Sequence, residues 1–64
     1  MENRTVDTRE RILDAGERLF MAHGYEGTSM RQITSEACVN LAAVNYHFGS
    51  KELLMQEVFR RRLD

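Results

Sequence analysis

Apolar positions Ile12, Leu13, Ala15, Gly16, Leu19 and Phe20 recur three and four residues apart, the spacing of a helix with one core face. That pattern predicts a first helix over 8–23. Asp7 and Glu10 stand at capping-box spacing with Thr8 as a rival N-cap, and Gly24 is free to take the left-handed conformation that ends helices. Tyr25-Glu26-Gly27 reads as a connector, with Tyr25 packing back on the core. Thr28 is the next expected N-cap, and Met30, Ile33, Thr34 and Ala37 mark one face of a second helix over 29–37. Cys38-Val39-Asn40 is a three-residue turn, with Val39 inward and Asn40 as a cap. A short third helix over 41–46 is anchored inward by Val44 and stopped at Gly49. Ser50 then caps a fourth helix over 51–62, with Leu53, Leu54, Val58 and Leu63 as its stripe. Pro is absent, and no repeat or strand pair is visible. The expected fold is all-α with four helices. Its expected core is Ile12, Leu13, Leu19, Phe20, Ile33, Ala37, Val39, Val44, Phe48, Leu54 and Val58.

Sixty-four residues make one small domain, burying only ~60% of its unfolded surface. One cysteine excludes an internal disulfide, and Cys38, His23 and His47 lack metal-ligand spacing, so neither metal nor cofactor is expected. There is no apolar run of about 18 residues, and Met1-Glu2-Asn3-Arg4 is no signal-peptide start. With a lone thiol suited to a reducing compartment, the expectation is a soluble, cytoplasmic chain with no membrane partner. No nucleophile–base pair or paired carboxylates stand at useful spacing; no catalytic residue is assigned and no enzyme is expected. The net charge of −1 opposes nucleic-acid binding, but its distribution softens the objection. Acidic residues crowd positions 2–26, whereas 27–51 hold only Glu36 against Arg31 and Lys51, and Arg60-Arg61-Arg62 follow.

The third helix is unlike an ordinary surface helix. From Cys38 to Ser50 there is no Asp, Glu, Lys or Arg. It offers small apolar groups (Leu41, Ala42, Ala43) beside polar or aromatic tips (Asn45, Tyr46, His47), a surface suited to the hydrogen-bond code of the DNA major groove. Helices two and three, joined by a tight turn, have the build of a helix-turn-helix. That build asks for a small residue at 34, a left-handed backbone at 38 and an apolar residue at 44. Val44 fits well and Thr34 acceptably. Cys38 fits poorly, because Gly is the residue that takes positive φ without steric cost.

The ordered elements Thr8-Arg9-Glu10, Ile12-Leu13-Asp14-Ala15, Leu19-Phe20, His23-Gly24-Tyr25, Thr28-Ser29, Ile33, Ala37, Val39 and Tyr46-His47-Phe48-Gly49-Ser50-Lys51-Glu52-Leu53-Leu54 together resemble the N-terminal DNA-binding domain of TetR-family transcriptional repressors. The likeness runs from about Thr8 to Arg62; Cys38 stands where the family usually has Gly, and Gly16 where Ala is commoner. The run 39–48 also resembles a subgroup in which some members respond to fatty-acyl compounds. The resemblance implies a homeodomain-like domain over 8–62 behind a flexible arm at 1–7, with the family's inducer-binding and dimerisation domain absent from this chain. It implies a fragment or abbreviated form of a regulator. Its partner would be a palindromic double-stranded DNA operator, bound as a homodimer when full length, with any small-molecule inducer held by the missing domain.

Carried onto this sequence, the resemblance makes helix three the recognition helix. Leu41, Ala42, Ala43 and Asn45 would face base edges, and Arg31 on helix two would reach a guanine edge or a phosphate. Thr28, Ser29, Tyr46, His47 and Lys51 would hold the DNA backbone, the first two at the positive end of a helix dipole. Blander readings stand beside these: Tyr46 as a core aromatic, His47 as a solvated helix end, and Arg60-Arg61-Arg62 as a solvated terminus. Lys51 opposes the dipole at its helix start, which favours an external phosphate over a local role. An alternative function is an interaction module that heterodimerises with another regulator without touching DNA.

Overall fold

The computed structural model describes residues 4–63, with the side chains of residues 4–6 left out of the description. Four helices follow one another: α1 (Arg4–His23), α2 (Met30–Ala37), α3 (Leu41–His47) and α4 (Lys51–Leu63). No strand occurs among the described residues. Helix α1 packs against each of the other three, and α2 packs on α3.

Helix α1 starts earlier than its spacing predicts. Residues 4–7, expected in a flexible arm, are helical, and Asp7 lies in the first turn instead of capping it. No Gly or Pro interrupts this stretch. Continuing the helix sets Asp7 one turn before Arg11, with Oδ2 and Nη1 3.9 Å apart, a mildly favourable i,i+4 pair. Residues 1–3 of the expected arm lie outside the described residues.

The four largest apolar side chains with no exposure at all are Ile12, Ile33, Val44 and Leu54. Each comes from a different helix. Around them lie Leu13, Ala15, Phe20, Ala37, Phe48 and Val58. Leu19 and Val39, expected inside, are half-buried at the margin of this cluster. Leu53 and Leu63, expected on the inner stripe of α4, are exposed. On α4 Leu54 and Val58, four residues apart, are buried in the core, and Met55 packs half-buried against it. Arg61 turns instead to α1, where its guanidinium meets Glu10 at 2.8 Å, Asp14 at 3.0 Å and Glu17 at 2.9 Å. The hydrogen bond with Glu17, chiefly, raises its pKa above the ordinary value, against the lowering effect of burial. Arg62 adds a pair with Glu17 at 2.8 Å. The basic run at the end of α4 is thus largely a strap onto the acidic face of α1.

The α2–α3 turn takes the form its spacing requires. Cys38 is left-handed at φ 60, ψ 46, a conformation costing an L-residue roughly 1–2 kcal/mol. Its N–H donates to Ser35 O and that of Val39 to Thr34 O, the paired bonds of a Schellman ending. Val44 is the one buried residue of α3. Val44→Ala is expected to cost about 2–3 kcal/mol from lost burial and the cavity left behind, out of only ~3–10 kcal/mol for a domain this size. Urea unfolding measures this; a loss below ~0.5 kcal/mol would show that α3 is held by something else.

Candidate nucleic-acid interface

Helix α3 has a defined outward arc. At ~100° per residue, Leu41, Asn45, Ala42 and Tyr46 fall within about 140° of one another. All four are exposed, Leu41 at 51% and Tyr46 at 80%. Ala43, Val44 and His47 occupy the opposite side; Val44 is buried and the other two are half-buried. Ala43, expected at a base edge, therefore lies off the outward arc. Its amide is taken by the Asn40 side chain at 2.8 Å, the N-cap of α3. Tyr46 is no core aromatic. Its ring stands edge-on to His47, with centroids 5.0 Å apart.

The start of α2 differs from the sequence expectation. Ser29, not Thr28, is the N-cap: its Oγ accepts from Gln32 N–H while Gln32 Oε1 accepts from Ser29 N–H. The Ser-x-x-Gln spacing of that box was visible in the sequence. Thr28 is 2% exposed, and its hydroxyl donates inward to the carbonyls of Gly24 at 2.8 Å and Leu19 at 3.1 Å. Its hydroxyl is thus unavailable to a DNA phosphate, and that assignment is withdrawn. Ser29 is exposed, and its hydroxyl proton remains available while its oxygen caps the helix. Two neighbouring hydroxyls divide the work, one tying the connector and one capping.

Lys51 also has a local partner that the sequence did not suggest. Its Nζ donates to Tyr25 O at 2.8 Å and Thr28 O at 2.9 Å, and sits 4.2 Å from the centre of the Tyr25 ring. This cation thus ties the start of α4 to the α1–α2 connector, which accounts for its place at a helix N-terminus. One of its three N–H directions is left over. Arg31 is exposed on α2, and no ion pair to it is found among the described residues. Met30, Arg31, Thr34 and Leu41 together line a notch between α2 and α3. The one acidic residue of the helix pair, Glu36, is held by Arg18 at 2.8 and 3.0 Å.

The outward arc of α3 is uncharged, the exposed basic side chain of Arg31 lies beside Leu41, and the acid of the helix pair is neutralised by Arg18. Tyr46, Asn45, Leu41 and Ala42 belong to α3; Arg31 of α2 lies beside Leu41, and Ser29 caps the start of α2. Arg9 and Arg11 were not singled out by sequence. Arg9 lies 5.2 Å from the Phe48 ring centre and 3.2 Å from Glu57. Arg11 donates to the backbone at the end of α2. These partners lie far along the chain, and the one local helical spacing, Asp7 to Arg11, does not reveal them. No group of three His, Cys, Asp or Glu able to hold a metal occurs among the described residues. Nor is any described helix long and apolar enough to cross a membrane.

Comparison with known proteins gives this geometry its relatives. Residues 12–58 match the family described as bacterial regulatory proteins, tetR family. The HTH-type nicotine-responsive transcriptional repressor HdnoR of Paenarthrobacter nicotinovorans is 46% identical over 52 residues, 81% of this chain and 27% of that protein. The HTH-type transcriptional repressor AcnR of Corynebacterium efficiens is 34% identical over 58 residues, 91% of this chain and 31% of its own length. The crystal structure of HlyIIR, a hemolysin II transcriptional regulator, superposes with a TM-score of 0.82 at 46% identity, over 88% of this chain and 31% of that one. This chain therefore spans about a third or less of each of these relatives. With the family's pattern running from Ile12 in α1 to Val58 in α4, this chain belongs to the TetR family of bacterial regulatory proteins.

Proposed function

We propose that residues 8–62 form the sequence-specific DNA-binding domain of a transcriptional repressor. The observation that carries this reading is the exposed arc of α3, a helix without charge that is fixed from behind by Val44. A major-groove reader needs such an element: apolar groups for thymine methyls and an amide for adenine, without charges to desolvate. Asn45 is the direct reader, with Leu41 and Ala42 in apolar contact. Arg31 reaches a guanine edge or a phosphate. Ser29, Tyr46 and His47 hold the backbone, with Lys51 contributing through its remaining N–H. The longer relatives include proteins named as repressors, which supports the sign of regulation. In this reading the full regulator works as a homodimer on a palindromic operator, in the cytoplasm, and any inducer is bound outside residues 8–62. Exposed Met21, Phe59 and Leu63 offer apolar surface to a further domain. An interaction module that avoids DNA has no need of the exposed Asn45 and Tyr46 tips.

Selection of duplexes from a random pool, followed by fluorescence anisotropy at low salt, tests the reading directly. Enrichment of no sequence would refute it. Within the selected site, Asn45→Ala is expected to change which bases are preferred at one position, costing ~1–3 kcal/mol there. Unaltered selectivity would remove Asn45 from the reading arc. Lys51→Ala should instead weaken all sequences about equally and lower the salt slope by up to ~0.9. If the slope stays the same, Lys51 serves only the connector. Finally, joining two copies through a symmetric dimeriser should raise affinity for a palindrome ~10²–10⁴-fold over the single chain. Its half-sites are expected one helical turn, ~34–36 Å, apart or a multiple of that. Equal affinity for one half-site and two would rule out the dimeric mode.

A further inference from the structure

The turn that sets α3 against α2 contains a left-handed cysteine, and an arginine from α1 grips the same turn. Arg11 Nη2 donates to Ala37 O at 2.7 Å and to Cys38 O at 3.3 Å. These carbonyls close the C-terminus of α2, where intrahelical donors have run out and the helix dipole favours a cation. Asp7, one turn earlier on α1, lies 3.9 Å from the other terminal nitrogen of Arg11 and helps aim it. Arg18 offers a contrast: it also links α1 to α2, but through the Glu36 side chain. Its loss would loosen the helix pair without touching the backbone of the turn.

We propose that Arg11 is a positioning residue for the recognition helix. By fixing the carbonyls on either side of the strained Cys38 peptide, it holds the left-handed turn closed and sets how α3 is presented. The side chain stands behind the turn, on α1, and acts on the reading arc through the backbone. A glycine at position 38 would hold the same conformation without strain, so the need for Arg11 is tied to the cysteine. The affinity arm of the test rests on the DNA-binding reading; the backbone arm does not.

Amide hydrogen exchange on the free 64-residue chain reads the turn itself. The Val39 N–H, bonded to Thr34 O at 3.1 Å, reports closure, and the Ile33 N–H, bonded to Ser29 O at 3.1 Å, serves as reference within α2. Arg11→Ala should accelerate Val39 exchange roughly tenfold relative to Ile33, a factor equivalent to ~1.4 kcal/mol. Arg11→Lys, whose single nitrogen can take both carbonyls, should retain most of the protection and serves if the alanine variant does not fold. Arg18→Ala should leave the ratio alone. Adding Cys38→Gly to Arg11→Ala should restore it. In anisotropy with a duplex selected by the wild-type chain, Arg11→Ala should bind about tenfold more weakly with an unchanged salt slope, and Cys38→Gly should recover most of that loss. A slope reduced by ~0.9 would instead make Arg11 a direct phosphate contact. An unchanged Val39-to-Ile33 ratio in both Arg11 variants, or no rescue by glycine, would overturn the proposal. If the wild-type chain selects no duplex, the DNA-binding reading fails, while the exchange ratios still decide the role of Arg11.

Discussion

Ile12, Ile33, Val44 and Leu54 meet in one small core, and the rest of the structure depends on that meeting. Each helix contributes one of the largest side chains with no exposure. Interiors pack like organic crystals, so a shift of one of these side chains must be felt by the other three. The short α3 has only Val44 fully inside and leans on Phe48 at its end. Its pose is therefore inherited from α1 and α2 instead of being fixed by its own length. Stability and presentation of the outward arc share one set of contacts in this molecule.

Charge is divided between two faces. On one, the carboxylates of Glu10, Asp14 and Glu17 on α1 surround Arg61 of α4, and Arg9 reaches Glu57. Exposed ion pairs contribute little singly, but this cluster shares a half-buried guanidinium and forms a network. On the other face, α3 has no charge, Glu36 is paired with Arg18, and Arg31 stands exposed. The net charge of −1 thus describes neither face. Much of the acidity that argued against nucleic acid is used to hold α4 onto α1.

The helices were legible because their signals are local. Apolar spacing located Ile12, Ile33, Val44 and Leu54, and the caps Asn40 and Ser50 behave as their positions suggest. The left-handed backbone at Cys38 was also readable, since the turn between α2 and α3 demands it whatever residue sits there. What was not legible depends on chain segments distant in sequence. Thr28 and Ser29 are chemically alike, and only the carbonyls of Leu19 and Gly24 decide which hydroxyl turns inward. Lys51 looked like a cation without a local partner because its partners lie 23 and 26 residues away. Ala43 lies off the outward arc for a different reason. Alanine carries little inward or outward preference, and only the helical phase set by Val44 shows which way it faces.

The strap between α4 and α1 also bears on the order in which the domain is made. Arg61 and Glu10 are 51 residues apart in the chain. At synthesis rates of ~5–20 residues per second, roughly 3–10 s separate the two partners on the ribosome. During that interval the acidic flank of α1 lacks its Arg61 partner, and Leu54, with which Ile12 shares the core, arrives late as well. The apolar face of α1 then lacks the cover that α4 supplies, and a helix draws most of its stability from such packing. The helix-turn-helix is complete in sequence before the element that closes the core behind it has been translated, so the core cannot close until α4 has been made.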